Sequence, residues 1–318
     1  MTRVSSYGNS QVLLGYMLQA QGRVLASQEQ VSSGYKSQTY KGIARDSVAL
    51  EGAKALQQRI ETYVKNNRLI ENRVDTYDIA LRGLGDIADE LRQDVTSAIA
   101  NNSGTALIGK VRDLFNRAVD ILNAQVDSRY IFAGSRTDTT PITIVSPDDL
   151  ITAPSIAGLF ANDSTQITAQ LDDSLTVTYG VLASDVATEL FTQMQRILQF
   201  DSGTLPSGAG AYAPAGAFQN PLTTNQKDFL LAELPGLKSM VDGVQDVVAA
   251  NGVIAKSISD VQDRQGQTLI TTKAFIGELR DVDAAEAISN LNRDQTALQA
   301  SYQVVSQLSA LNLLNFLR

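Results

Sequence analysis

The chain has 318 residues, a formal net charge of −8 and no cysteine, histidine or tryptophan. Without imidazole or thiolate, the usual zinc, haem and iron–sulfur ligand sets are missing, as is the base of Ser-His-Asp and Cys-His catalysis. An acidic chain with no dense Lys/Arg cluster makes a poor nucleic-acid binder, so composition predicts no nucleic-acid partner, no metal, no cofactor and no enzyme activity.

The seven prolines all fall between Pro141 and Pro235. A proline inside a helix removes a hydrogen bond and clashes with the preceding turn, costing roughly 3 kcal/mol. Proline-free arms on either side of a Pro/Gly/Thr-rich centre therefore predict a mainly α protein. The N- and C-terminal arms would form an elongated antiparallel helical bundle carrying an inserted, small β-rich (α+β) domain. The expected boundaries are 1–35 and 284–318 for terminal amphipathic helices, 36–140 and 222–283 for a long-helix bundle, and 141–221 for the insert.

In chain order, Leu14, Leu18 and Leu25 recur at helical spacing, with Val24 and Val31 nearby. Only Arg3, Arg23 and Glu29 are charged there. The N-terminus lacks the apolar run and small-residue cleavage site of a signal peptide. No stretch reaches the ~20 apolar residues of a membrane span, which predicts no membrane insertion. Ser32-Ser33-Gly34 breaks the first helix, with Gly34 suited to a left-handed position. A long helix is predicted from Ile43 to Ala100, with Gly83 and Gly85 as a candidate bend.

Asn101-Asn102-Ser103-Gly104 reads as a turn, and a returning helix is predicted from Thr105 to Arg129. Gly104 to Lys110, GTALIGK, imitates a phosphate loop but continues with Val111 rather than Ser or Thr, and it follows a helix. It reads as a glycine turn opening a helix. Ile167–Leu171 and Leu175–Val181 alternate as two strands joined at Asp172-Asp173-Ser174. Asp148-Asp149 and Asp172-Asp173 lack calcium-loop spacing and read as solvated turns.

A short amphipathic helix is predicted over 184–200 and a Gly/Ala/Pro loop over 202–221. Residues 224–282 form another long helical stretch, opened by a Thr223/Gln226 capping box and interrupted early at Pro235-Gly236. The final 35 residues mirror the first, with Ile288, Leu291, Leu298, Tyr302, Val305 and Leu308 on a heptad-like stripe. Such weakly charged terminal helices need a partner. The pattern leaves open whether they pair within the chain or with other copies.

Residues 28–50, QEQVSSGYKSQTYKGIARDSVAL, resemble the N-terminal signature of flagellins and flagellar hook-associated proteins. Residues 281–317, DVDAAEAISNLNRDQTALQASYQVVSQLSALNLLNFL, are similar to that family's C-terminal segment. Residues 130–141, YIFAGSRTDTTP, resemble the junction segment of the family's hook–filament junction (hook-associated protein 3) branch. The likeness spans roughly 1–140 and 224–318 and leaves the insert largely unmatched.

This resemblance implies a structural subunit of the bacterial flagellum, exported unfolded without a cleaved signal and located outside the cell. It implies termini in the inner layer of a tube. The implied partners are copies of the chain in a ring, the neighbouring hook-associated protein and flagellin, and a cytoplasmic export chaperone. The residues expected to carry the assembly contact are Leu14, Leu18, Leu25, Val31, Leu298, Tyr302, Val305 and Leu308. A filament flagellin is the first alternative, and a secreted helical adhesin binding through the insert is the second.

Overall fold

A computed structural model describes residues 2–39, 44–144, 146–206, 212 and 215–316, with side chains described between 11 and 307. The described residues form seven α-helices and two small antiparallel hairpins. The helices are α1 (Thr2–Ser33), α2 (Ser47–Ala100), α3 (Leu107–Leu122), α4 (Pro147–Thr152), α5 (Ala183–Ser202), α6 (Thr224–Arg280) and α7 (Ala284–Phe316). The strands are β1 (Gln125–Val126), β2 (Arg129–Tyr130), β3 (Thr168–Gln170) and β4 (Thr176–Thr178). The mainly α reading with a small β-containing insert is correct. The chain divides into two compact units, residues 1–62 with 265–318, and residues 63–264.

In the second unit, α2, α3, α5 and α6 enclose one apolar core. Leu81, Leu84, Ile87 and Leu91 of α2 face Leu114, Phe115 and Leu122 of α3, with Leu190, Phe191, Ile197 and Phe229 completing it. Phe200 stacks on Phe229 at 4.1 Å and on Phe218 at 5.2 Å. The insert does not fold around a core of its own. Ile142, Leu150, Leu159 and Leu171 join the same cluster, and its largest element is the helix α5 rather than a sheet.

α2 runs unbroken through Gly83 and Gly85. A Cβ at Gly83 would meet Ile121 Cδ1 at 3.0 Å, so the glycine admits α3 close to α2. The returning helix stops at Leu122, earlier than its pattern predicts. Asn123 accepts the Ile142 N–H at 3.0 Å and the chain turns into the β1–β2 hairpin, whose two turn residues Asp127 and Ser128 have φ of 51° and 61°. Such a two-residue turn needs positive φ to match strand twist.

The β3–β4 hairpin falls where alternation placed it, pairing Ala169 with Val177. Asp172 closes its turn by accepting from Ser174 N at 2.7 Å and Leu175 N at 2.8 Å. Asp148 and Asp149 are not in a turn: they open α4, where Asp149 and Ser146 form a capping box. Gln226 and Thr223 form the expected box at the start of α6, at 3.3 and 3.1 Å. The predicted break at Pro235-Gly236 is absent, and α6 runs through it.

The first unit holds α1 against α7, and the start of α2 against the end of α6. Leu50, Ala53 and Ile276 form a small cluster extended by Leu279, and Lys273 pairs with Glu61 at 3.4 Å.

Candidate assembly interface

α1 ends where the sequence places its break: Gly34 takes φ +75°, its N–H closing on Gln30 O at 2.9 Å. A short extended crossing follows, with Lys36 N donating to Arg280 O at 2.8 Å and Val282 N to Gly34 O at 2.9 Å. The Arg280 guanidinium sits 4.2 Å from the centre of the Tyr35 ring, a cation–π contact. Its hydrogen bond to Asp281, at 2.8 Å, raises the Arg280 pKa. Asp283 then accepts from Ala285 N at 2.8 Å and Glu286 N at 3.2 Å, capping α7. These contacts join the end of α1 to the start of α7 and make the two helices antiparallel.

The pair has a regular seam. On α1 the more buried positions are Leu13, Met17, Ala20, Val24, Ser27 and Gln30, with the exposed Val31 continuing the four-three register; on α7 they are Ala287, Leu291, Asp294, Leu298, Ser301 and Val305, with Asn290 and Ala297 half-buried beside them. The main line of each helix recurs at alternating spacings of four and three, the heptad signature of coiled-coil packing. Ser27 Oγ donates to Asp294 Oδ2 at 2.7 Å in the buried seam, and Arg23 Nε lies 3.8 Å from Oδ1.

The sequence-predicted residues divide against this seam. Leu298 and Val305 lie on it, half-buried within the chain. Val31 holds a seam position near its end but is exposed, and Tyr302 is exposed beside it. Leu14, Leu18 and Leu25 are not brought to α7: they form a separate stripe along α1 and are 51, 55 and 61% exposed. The side chain of Leu308 lies outside the described residues. Sequence reasoning missed Ala20, Ser27, Ala287 and Asp294, because it followed the largest apolar residues. The four-three recurrence of small residues was the available signal.

Val12, Tyr16, Ile288 and Val304 add to the exposed apolar surface of this helix pair. Solvation of so much large apolar surface is unfavourable, and such surface marks an interaction site. Elsewhere, a cleft of about 450 Å³ between α2 and the β1–β2 hairpin is lined by Arg73, Tyr77, Arg129 and Tyr179. Its polar groups hold the fold together: Arg73 donates to the Tyr179 hydroxyl at 3.2 Å and Tyr77 to the Ile131 carbonyl. Among the described residues no helix is long and apolar enough to cross a membrane, and no carboxylate cluster could hold a metal.

The seam helix α7 lies within a segment, residues 237–317, that matches the family model for the bacterial flagellin C-terminal helical region. Solved structures similar to this chain include a putative flagellar hook-associated protein from Vibrio parahaemolyticus. It is 13% identical with a TM-score of 0.58, over 76% of this chain and 100% of that one. FlgL of Bacillus cereus and FlgL of Xanthomonas campestris are each 12% identical with a TM-score of 0.52, over 72% of this chain and 99% of theirs. At such identity the likeness is one of fold. No curated protein matches the chain by sequence.

Proposed function

We propose that this chain is a structural subunit of the bacterial flagellum, joining hook-associated subunits to the flagellin filament by packing of its terminal helices. The observation that carries the reading is the uncovered Leu14–Leu18–Leu25 stripe on a helix paired with α7, inside the flagellin-matching segment. Burying a leucine-sized side chain contributes roughly 1.5–3 kcal/mol. A few such residues in each copy, repeated round a ring, supply an assembly energy without any ligand.

In this reading the eight residues named from the sequence divide their work. Leu298 and Val305 hold α7 to α1. Leu14, Leu18, Leu25, Val31, Tyr302 and Leu308 meet neighbouring copies, the adjoining hook-associated protein and flagellin. A cytoplasmic chaperone covers these surfaces before export, and the chain works outside the cell. Residues 130–141 favour the junction over the filament, whereas the family model is flagellin's own, so a filament subunit is the second reading.

Immunogold electron microscopy with an antibody against residues 142–220 separates them. A narrow labelled band where hook meets filament is expected. Label along the whole filament would make this a flagellin, and unlabelled flagella on expressing cells would remove both readings in favour of an adhesin.

A further inference from the structure

The one fully buried polar layer of the described α1–α7 seam is where Ser27, Asp294 and the flanking Arg23 meet; Gln30 and Asn290, toward the crossing end, are only half-buried. A carboxylate is costly to bury unless it is paired and hydrogen-bonded. Asp294 is almost fully buried and is held by one hydroxyl and one guanidinium, both from α1. Between residues 11 and 33, where the side chains of α1 are described, Arg23 is the only Lys or Arg.

We infer that Arg23, Ser27 and Asp294 are the specificity-determining residues for the register of the terminal helix seam, whose antiparallel sense the crossing contacts at Gly34 and Arg280 set. The remainder of the seam does not discriminate. Its heptad spacing repeats on both helices, so a slide of one heptad brings apolar and small residues opposite one another again. That same slide sets Asp294 against Ala20 instead of Ser27, leaving the carboxylate in the seam without hydroxyl or guanidinium. A single polar seam position is a known way to specify register at some cost in stability, and here the two partners lie at opposite ends of the chain, 267 residues apart.

The consequence for assembly rests on the function proposed above. Register decides where the exposed Leu14, Leu18 and Leu25 sit relative to exposed Tyr302 and Ile288, and so which composite face a neighbouring copy meets.

The test uses disulfide trapping in the purified full chain, which has no cysteine of its own. Counting one heptad along each helix from the Ser27–Asp294 pair places Ala20 opposite Ser301. The pair Ala20→Cys/Ser301→Cys reports the native register, and Leu13→Cys/Ser301→Cys reports a slide of one heptad. In the native background only the first bond should form at dilute protein concentration. With Asp294→Leu both should form, because the seam stays apolar and helical but no longer discriminates. The exchange Ser27→Asp/Asp294→Ser should restore the first bond alone. Asp294→Leu trapping only in the native register, or in neither, overturns the inference, as does an exchange variant that traps both. The bond pattern is read without flagella, so a failed junction assignment leaves it unchanged, and a failed register assignment leaves the immunogold result unchanged.

Discussion

Arg196 grips Glu233 from two sides, its Nε at 2.8 Å from one carboxylate oxygen and its Nη2 at 2.6 Å from the other. The pair ties α5 to α6 two residues before Pro235. Beside it, Gly236 lies so close to α5 that a Cβ would come within 2.6 Å of Gln193 Nε2, while Leu230 and Leu237 are fully buried. Pro235 and Leu231 face outward, where water can take the helical bond that proline cannot donate. Tertiary packing thus overrides the local signal for a break.

The two partners of that bond are unequally buried, Glu233 being 5% exposed and Arg196 32%. Arg196→Ala strands a buried carboxylate and should cost about 3–5 kcal/mol. Glu233→Ala leaves a cation that reaches water and should cost less, about 1–3 kcal/mol. Urea unfolding followed by circular dichroism measures both, and the reverse order would contradict the clamp.

Two glycines should respond with opposite signs. Ala at Gly104 would place its Cβ 2.7 Å from Phe218 Cβ and 2.8 Å from Leu222 Cδ2, an overpacking that should cost about 1–3 kcal/mol. At Gly85, mid-helix in α2, the Cβ meets only Val244 Cγ1, at 3.8 Å. Ala there should stabilise by about 0.5–1 kcal/mol. Thermal melts of the two variants decide the matter, and a shift of the same sign in both would count against the packing described.

What could be read beforehand follows from which physics is local. The Thr223/Gln226 box, the Gly34 stop, the Asp172 turn and the alternation into β3 and β4 are decided by neighbouring residues, and all four lie where their patterns put them. The break expected at Pro235-Gly236 does not occur, because Glu233 and Gly236 are held against α5, far along the chain, while Pro235 faces outward; Gly83 is likewise tied to Ile121 of α3. The β1–β2 hairpin was hidden because Asp127-Ser128 lacks the glycine that normally signals its turn. At the assembly surface, Leu14, Leu18 and Leu25 stand out by periodicity. The Ser27–Asp294 seam does not, since a buried aspartate is visible only once the two termini are brought together.

Tyr77 gives the fold an alkaline limit. Burial, with the neighbouring Tyr179 adding to it, pushes its pKa up to about 12 from the ordinary 10.0. A group whose pKa is raised on folding contributes its stability fully below the unfolded value and loses it as pH rises through the folded one. Two pKa units correspond to about 2–3 kcal/mol, so this contribution should fade between about pH 10 and 12. Tyr77→Phe forfeits the bond to the Ile131 carbonyl but should flatten that part of the pH dependence. Urea midpoints from pH 9 to 12 for both proteins test this; equal slopes would show that Tyr77 is not responsible.

The central claim is that the outward stripe of α1 serves other copies rather than the chain's own core. Leu14, Leu18 and Leu25 are all more than half exposed, so replacing them by Asp should change the stability of the purified monomer by less than about 0.5 kcal/mol each. The decisive measurement is incorporation of a Leu14→Asp/Leu18→Asp/Leu25→Asp chain into flagella of cells lacking the native copy, scored by immunoblot of sheared flagella. The account predicts a variant that melts like the native protein yet is absent from the flagella. Normal incorporation of that stable variant would contradict it.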